Sequence, residues 1–387
     1  MAVGRVLIGF AESLAAIESA FCLLDEGYEV VAFTRAGKRP ALAASRSVVV
    51  HDVPAPEHDL AATVEAVRSL VEAVRPDAVL PLDDASLLIC ARLAGTVPAA
   101  VAGPVGAAAQ FALDKREQFL AAAKAGLAVP ETVAGDDEPV GPGPWMVKSG
   151  LAIVDDGRRL LRPAGAVARD HGAVADLVAG MTGPAVVQPI VEGVGEGVFG
   201  FASGGELFAV SAHRRVRMMN PRGSGSSACL SISVDPELVE PIRAMLASVD
   251  WHGIFMVELL RDRAGTAWFM EVNGRTWGSM ALARRRGLPY PAWAARAATE
   301  PGWRPPAAPE APHLLCRHAG RELVHLAAVL RGARGADRGR WPSRGATLAA
   351  MLKPRRGTRW YNVRRGEGRV FLRDTWQTVA AQLGRRA

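Results

Sequence analysis

The sequence predicts a mixed α/β and α+β protein in three parts: a parallel α/β domain over residues 1–105, a two-lobed α+β core over 106–300, and a small basic C-terminal region over 301–387. Three observations carry this. Apolar strand-like runs alternate with helical spacing near the N-terminus. Glycine-punctuated strands follow one another between about residues 185 and 273. The composition then changes abruptly after Pro301.

In the first part, GRVLIG (4–9) reads as a buried strand. AESLAAIESAFCLLDEG follows with Leu14, Ile17, Phe21 and Leu24 on one helical face and Gly27 as a stop. YEVVAFTR is a second strand, and a helix over Leu60–Val74 leads into a third, DAVLPLDD. Alternating strands and helices imply a parallel sheet covered on its faces. In the core, GPVGAAAQFALDKREQFLAAAKAG predicts a helical pair, Asp136–Pro144 a loop, WMVKSG a strand and Ala173–Met181 a helix. VVQPIV, GVFGFAS, ELFAVSAHRRVRM and ACLSISV read as antiparallel strands. A helix over Pro236–Val249 precedes two more strands, GIFMVELLRD and AWFMEVNG. In the last part a proline-rich linker, GWRPPAAPEAP, leads to three short amphipathic pieces: Glu322–Leu330, Ala346–Leu352 and Thr375–Leu383.

A chain of 387 residues is expected to form two or three compact units. Its net charge of +7 is unevenly spread. From residue 301 onward 18 Lys/Arg face five acids, so this region carries +13 and the first 300 residues −6. A basic region of this kind suits weak binding to an anionic surface or an acidic partner. Trp341, Trp360 and Trp376 are read as packing against the body, and no nucleic-acid partner is expected. Cys22, Cys90, Cys229 and Cys316 lie far apart without a CxxC pair, which argues against zinc. MAVGRVLIGFAES lacks the parts of a signal peptide, and no run approaches the ~20 apolar residues of a membrane span. The expectation is a reduced, cytoplasmic protein.

The strongest chemical constellation is Glu258, Glu271 and Asn273. Both glutamates interrupt apolar strands, FMVELL and WFMEVNG, joined by a short polar turn. Adjacent antiparallel strands set such carboxylates side by side, where they repel unless a cation lies between them. Hard oxygen ligands suit Mg²⁺, and Asn273, two residues past Glu271, shares its strand face. The alternative is that each glutamate pairs with an arginine such as Arg261 or Arg275. Lys148, after three apolar strand residues, is suited to delivering a cation into a cleft, although an edge lysine can also snorkel. The first unit lacks a full GxGxxG, so no dinucleotide site is read there.

WHGIFMVELL…AWFMEVNGRTWGS resembles the end of an ATP-grasp catalytic core, in the branch of carboxylate–amine ligases and carbamoyl-phosphate-synthase-like enzymes with N-(P/G)-R-x-W-G-S, here Asn273–Ser279. The resemblance covers roughly residues 1–300 and implies a preATP-grasp domain followed by two lobes with ATP between them. It implies two Mg²⁺ ions, with Mn²⁺ as a substitute, on Glu258, Glu271 and Asn273. Lys115 in ALDKREQF would reach phosphate, and Lys148 the α/β-phosphates and adenine edge. Gln188, Pro189, Ile190 and Val191 would be the hinge that reads adenine through its backbone, although Pro189 lacks a donor. Glu196, or else Glu192, would hold the ribose.

In AHRRVRMMNPRGSGSSA the resemblance assigns Arg215 and Arg217 to the transferring phosphoryl group, with His213 in phase, since arginine forks neutralise such charge. Gly223–Ser227, with Ser224 and Ser226, would offer N–H groups to phosphate; a solvated hairpin is the alternative reading. Arg275 would stabilise an acyl phosphate. Asp83 and Asp84 would cap a helix or contact an amine substrate. The implied activity is an ATP-dependent ligase that joins a small-molecule carboxylate to an amine through an acyl phosphate, compatible with a homodimer. An ATP-binding regulatory module without turnover, and a carboxylase or carbamoyl-phosphate-type enzyme, remain open alternatives.

Overall fold

Five parallel strands open the chain in a computed structural model that describes residues 2–221, 223, 225–309, 311–333, 341–353 and 356–384. They are β1 (Arg5–Gly9), β2 (Glu29–Arg35), β3 (Val48–Val53), β4 (Ala78–Pro81) and β5 (Ala100–Val101), in the order β3-β2-β1-β4-β5. Val6, Leu7 and Ile8 are wholly buried, as a strand covered on both faces requires. The helix Leu60–Val74 spans the residues its spacing predicts, and the Asp59 side chain caps it by accepting from Ala62 N. The first helix runs Ala16–Asp25, shorter than expected. The chain turns tightly after β1, with Ser13 N donating to Phe10 O, so Leu14 lies in that turn and is 65% exposed rather than on the core face. The sequence pattern does not foresee β3, because His51 and Asp52 interrupt its apolar run. Strand order reverses between β1 and β4, and such a switch point opens a crevice at the carboxyl ends of the strands.

The next lobe is a smaller sheet of β6 (Val133–Ala134), β7 (Trp145–Ser149), β10 (Ala166–Ala168) and β11 (Ala185–Pro189), ordered β10-β7-β11-β6, with the helix His171–Ala179 against it. Between β7 and β10, β8 (Val154–Asp155) and β9 (Leu160–Leu161) form a hairpin. It docks on the first unit: Leu60 N donates to Arg158 O at 2.9 Å and Leu160 N to Pro56 O at 2.7 Å.

The large sheet contains β12 (Val194–Ser203), β13 (Glu206–Met218), β14 (Ser226–Ile232), β15 (Gly253–Arg261), β16 (Ala267–Asn273), β17 (Leu315–Arg317) and β18 (Thr358–Trp360), ordered β16-β15-β12-β13-β14-β17-β18. The basic region therefore does more than append helices: two of its short strands extend this sheet. Its helices are Ala319–Arg331, Arg344–Leu352 and Gly368–Gly384. Helices Met280–Arg285 and Tyr290–Thr299, with the loop before them, join the first sheet to the large one, and Phe199, Trp277 and Tyr290 stack there with centroids 5.2–5.8 Å apart. The four cysteines are free and buried. No described helix is long and apolar enough to cross a membrane.

Candidate active site

β15 and β16 pair antiparallel with Glu258 opposite Glu271 and Met256 opposite Asn273. Both carboxylates and the amide therefore share one face. Asn273 Nδ2 lies 3.5 Å from Glu271 Oε1. Burial raises the Glu258 carboxyl above its ordinary value; Arg215 opposes this and Glu271 adds to it. β16 is fixed from behind by Gln118, which is 1% exposed. Its amide donates to Val272 O at 3.2 Å and accepts from Val272 N at 2.9 Å, while also donating to Phe111 O and Ala112 O. Val272, between Glu271 and Asn273, is thus pinned to the helix Lys115–Lys124.

Arg215 reaches Glu258 by a direct ion pair. The two sit on β13 and β15, with β12 between them. The crossing is open because β12 presents Gly195 and Gly197 there: a Cβ on Gly195 would stand 2.6 Å from Arg215 Cδ, and one on Gly197 2.9 Å from His213 Nε2. His213 is buried, and its Nδ1 lies 2.6 Å from Ser279 Oγ. Burial, and then Arg215, hold the imidazole down to about 3, so it is a neutral prop. Arg217 does not join Arg215. The register shifts between them, and the Arg217 fork is held by Glu322 at 2.8–2.9 Å.

Glu196 is corrected more sharply. It pairs with Arg214 and Leu259, the opposite sheet face from Gly197 and Glu258. There Arg214 and Arg261 clamp it at 2.6 and 2.8 Å and it is 3% exposed, so it is a buried ion-pair node and not a ribose ligand. Arg261, offered by the sequence as a partner for Glu258 and Glu271, is consumed in this node. Glu192 lines a groove with Ile190, Val191 and Arg215.

The floor of the cleft carries Lys115 and Lys148, which line one cavity with Asp84, Gln118, Arg162, Glu271 and Asn273. Lys115 Nζ lies 3.3 Å from Glu271 Oε2. Lys148 Nζ stands 4.8 Å from the centre of the Phe119 ring. Burial, then the Lys115 cation, lower Lys148 to about 8, while Glu271 and Glu258 pull the other way. Gln188 opposes Met146 on β7, two residues from Lys148, but its amide is spent on Thr132 Oγ1 at 2.5 Å. Pro189 pairs with Trp145, and Ile190 N donates to Pro144 O, so two hinge residues offer no N–H to a base. Ser226 Oγ is 3.0 Å from Cys229 Sγ, and Ser224 lies outside the described residues.

Arg275 is fixed by the first unit. Its Nε donates to Asp84 Oδ1 at 2.9 Å, and Arg162 Nη2 approaches Asp84 Oδ2 at 3.3 Å. Burial pushes Asp84 upward, but Arg275 and Arg162 hold its carboxyl below the ordinary value. Asp83 is the helix cap the sequence suggests, accepting from Ser86 N at 2.8 Å.

No family model and no curated protein sequence matches the chain. Solved structures do. The chain is similar to an L-amino acid ligase from Bacillus licheniformis, at 16% identity and a TM-score of 0.59, over 78% of this chain and 75% of that one. It is similar to a biotin carboxylase from Campylobacter jejuni solved as a β,γ-ATP complex, at 15% identity and a TM-score of 0.60, over 81% and 74%. It is also similar to an ADP-bound N5-carboxyaminoimidazole synthetase from Staphylococcus aureus, at 14% identity and a TM-score of 0.57, over 79% of each chain. The fold is that of the ATP-grasp enzymes.

Within the ATP-grasp fold, the residues the sequence pattern passes over are those that act through others. Gln118 is visible in ALDKREQF, yet nothing local says that it grips a strand 154 residues away. The glycines of GEG flank Glu196, and their use as clearance appears only once β12 is seen between Arg215 and Glu258. Asp84 reads locally as part of a helix start and gains its second use from Arg275.

Proposed function

We propose that this chain binds MgATP between its two lobes and uses it to activate a carboxylate, which an amine then captures. The observation that carries the proposal is the opposed pair Glu258–Glu271 with Asn273 on the same face, in a cleft whose floor supplies Lys115 and Lys148. The donor set fits the ion. Two carboxylates and an amide oxygen are hard ligands, and Glu258, raised by burial and by Glu271, is eased by a divalent cation.

MgATP supplies a phosphoryl group of high transfer potential. The protein's own residues do the rest. Glu258, Glu271 and Asn273 would hold the metal against phosphate oxygens. Lys148 and Lys115 offset phosphate charge. Arg215, paired with Glu258, and Arg275, held by Asp84, stabilise charge developing on the transferring group. The hairpin β8–β9 and the segment to Gly165 exclude water from an activated acid. Residues 188–191 border the base, with their contribution reduced by Pro189 and the occupied Ile190 N–H. The division into units at about residues 105 and 300 belongs to the same reading.

The test is ADP release from MgATP against a panel of amino acids, with hydroxylamine added to trap an acyl phosphate. Amino-acid-dependent ADP and hydroxamate formation, lost in Glu271→Ala, supports the proposal; no MgATP binding, or binding unchanged in Glu271→Ala, ends it. The carboxylase-like neighbours favour one second reading, bicarbonate as the acid, and ADP release dependent on bicarbonate rather than on an amino acid would establish it.

A further inference from the structure

We infer that Asp84 is a positioning residue that ties closure of the segment over the phosphate pocket to the placement of Arg275; the inference rests on the functional reading above. Asp84 begins the helix Asp84–Leu93 in the first unit, at the carboxyl end of β4. Its two oxygens serve different masters. Oδ1 accepts from Arg275 Nε at 2.9 Å, and Arg275 follows the metal-site Asn273 by two residues. Oδ2 faces Arg162 at 3.3 Å, and Arg162 leads out of the β8–β9 hairpin into Pro163 and Gly165, which wall the cavity holding Lys115, Lys148 and Glu271.

The two bonds differ in kind. Arg275 and Asp84 have side chains 16% and 9% exposed, so theirs is a buried, charge-assisted contact that sets a direction. Arg162 is 71% exposed, so its contact is a weak latch that solvent and salt compete for. Other latches surround it: Arg92 pairs with Asp155, and Leu60 N and Leu160 N bond across the same junction. With Oδ1 committed to Nε, Arg275 Nη1 turns back to Thr276 O at 3.1 Å, so the guanidinium is anchored on two sides close to Glu271 and Glu258. An arginine left without Asp84 would be buried beside the carboxylates and free to collapse onto them, where it would compete with the metal. Asp84 thus keeps a cation near the carboxylate pair without letting it neutralise the pair. Arg162 senses the same carboxylate only when the covering segment is down.

The experiment separates the two bonds by a split between kcat and KM in the ADP-release assay, with MgATP as the varied ligand. Asp84→Asn keeps the shape and removes the charge. It is expected to lower kcat on the order of 10–100-fold, the usual scale for a partner of a site residue, with the KM for ATP changed less than threefold. Arg162→Ala is expected to act mainly on binding, raising the KM for ATP severalfold and lowering kcat less than Asp84→Asn does. Arg275→Ala combined with Asp84→Asn should be no slower than Arg275→Ala alone. Melting curves of each variant guard against simple unfolding, and Asp84→Glu, which retains the charge, should recover part of kcat if the protein folds. A full kcat in Asp84→Asn, or losses in the double variant that multiply, overturn the inference while leaving the ligase reading intact. A wild-type protein that releases no ADP with any acid overturns the reading and the inference together.

Discussion

Arg215 pairs with Glu258 across an intervening strand, passing over Gly195 and Gly197. The glycines are what let the cation arrive. A side chain at residue 195 would stand 2.6 Å from Arg215 Cδ, so the Arg215 stem would have to shift from its path to Glu258. Gly195→Ala is therefore expected to copy Arg215→Ala. Both should cut ADP release by about 10²-fold, the scale for one missing electrostatic donor, and the double variant should be no worse. Initial rates of ADP formation and melting curves for the three variants check this; a fully active Gly195→Ala contradicts it.

Gln118→Leu tests the clamp behind the metal strand. The substitution leaves the Val272 N–H and the Phe111, Ala112 and Val272 carbonyls without this buried partner. The expected cost is about 1–3 kcal/mol of stability, read by urea denaturation. Because Val272 sits between Glu271 and Asn273, which are proposed to hold the metal, the Mg²⁺ concentration giving half-maximal nucleotide binding should also rise by about tenfold. A stability loss without any change in Mg²⁺ dependence would reduce Gln118 to a packing role.

How far the sequence foretold this arrangement depends on parity and distance. Glu258, Glu271 and Asn273 were legible because two apolar strands joined by a short turn almost dictate their own pairing. Glu196 was not, since its face is set by the joint register of β12, β13 and β15, and one residue of parity moves it from the cleft to the Arg214–Arg261 node. Arg217 was misplaced by a local register shift that no alternation rule anticipates. The strands β17 and β18, three residues each, are too short for a periodic signal; β17 forms on the edge of β14, and β18 on the edge of β17. Asp84 and Arg275 meet over 191 residues, which only the assembled fold can reveal.

Lys148 gives a pH prediction with a definite sign. Its ammonium is lowered from 10.5 to about 8 by burial and Lys115. Between those values the unfolded chain holds a proton that the folded one has released, so the ligand-free protein gains stability from this group as pH rises through that window. Nucleotide binding, in which Lys148 is proposed to act as a cation, should weaken over the same rise above pH 8. Lys148→Met should therefore flatten the alkaline stability slope of the free protein while weakening MgATP binding at pH 7. Melting temperatures from pH 7 to 10 and nucleotide titrations measure both; an unchanged slope contradicts the assignment.

Glu322 ties the basic region to the large sheet through its side chain as well as through β17. Its carboxylate is 3% exposed and receives Arg217, Arg317 and Ser227, which brings the helix Ala319–Arg331, β13, β14 and β17 to one point. These contacts hold its carboxyl below the ordinary value against the pull of burial. Glu322→Gln removes the charge and strands two largely buried guanidinium groups, a type of loss that costs about 3–5 kcal/mol. The native protein should also lose stability in acid as this carboxylate is protonated, since a group lowered on folding stabilises only while ionised. Glu322→Gln should show a lower melting temperature at pH 7 and a shallower acid dependence. If its melting temperature at pH 7 and its acid dependence both match the wild type, the node contributes nothing to stability.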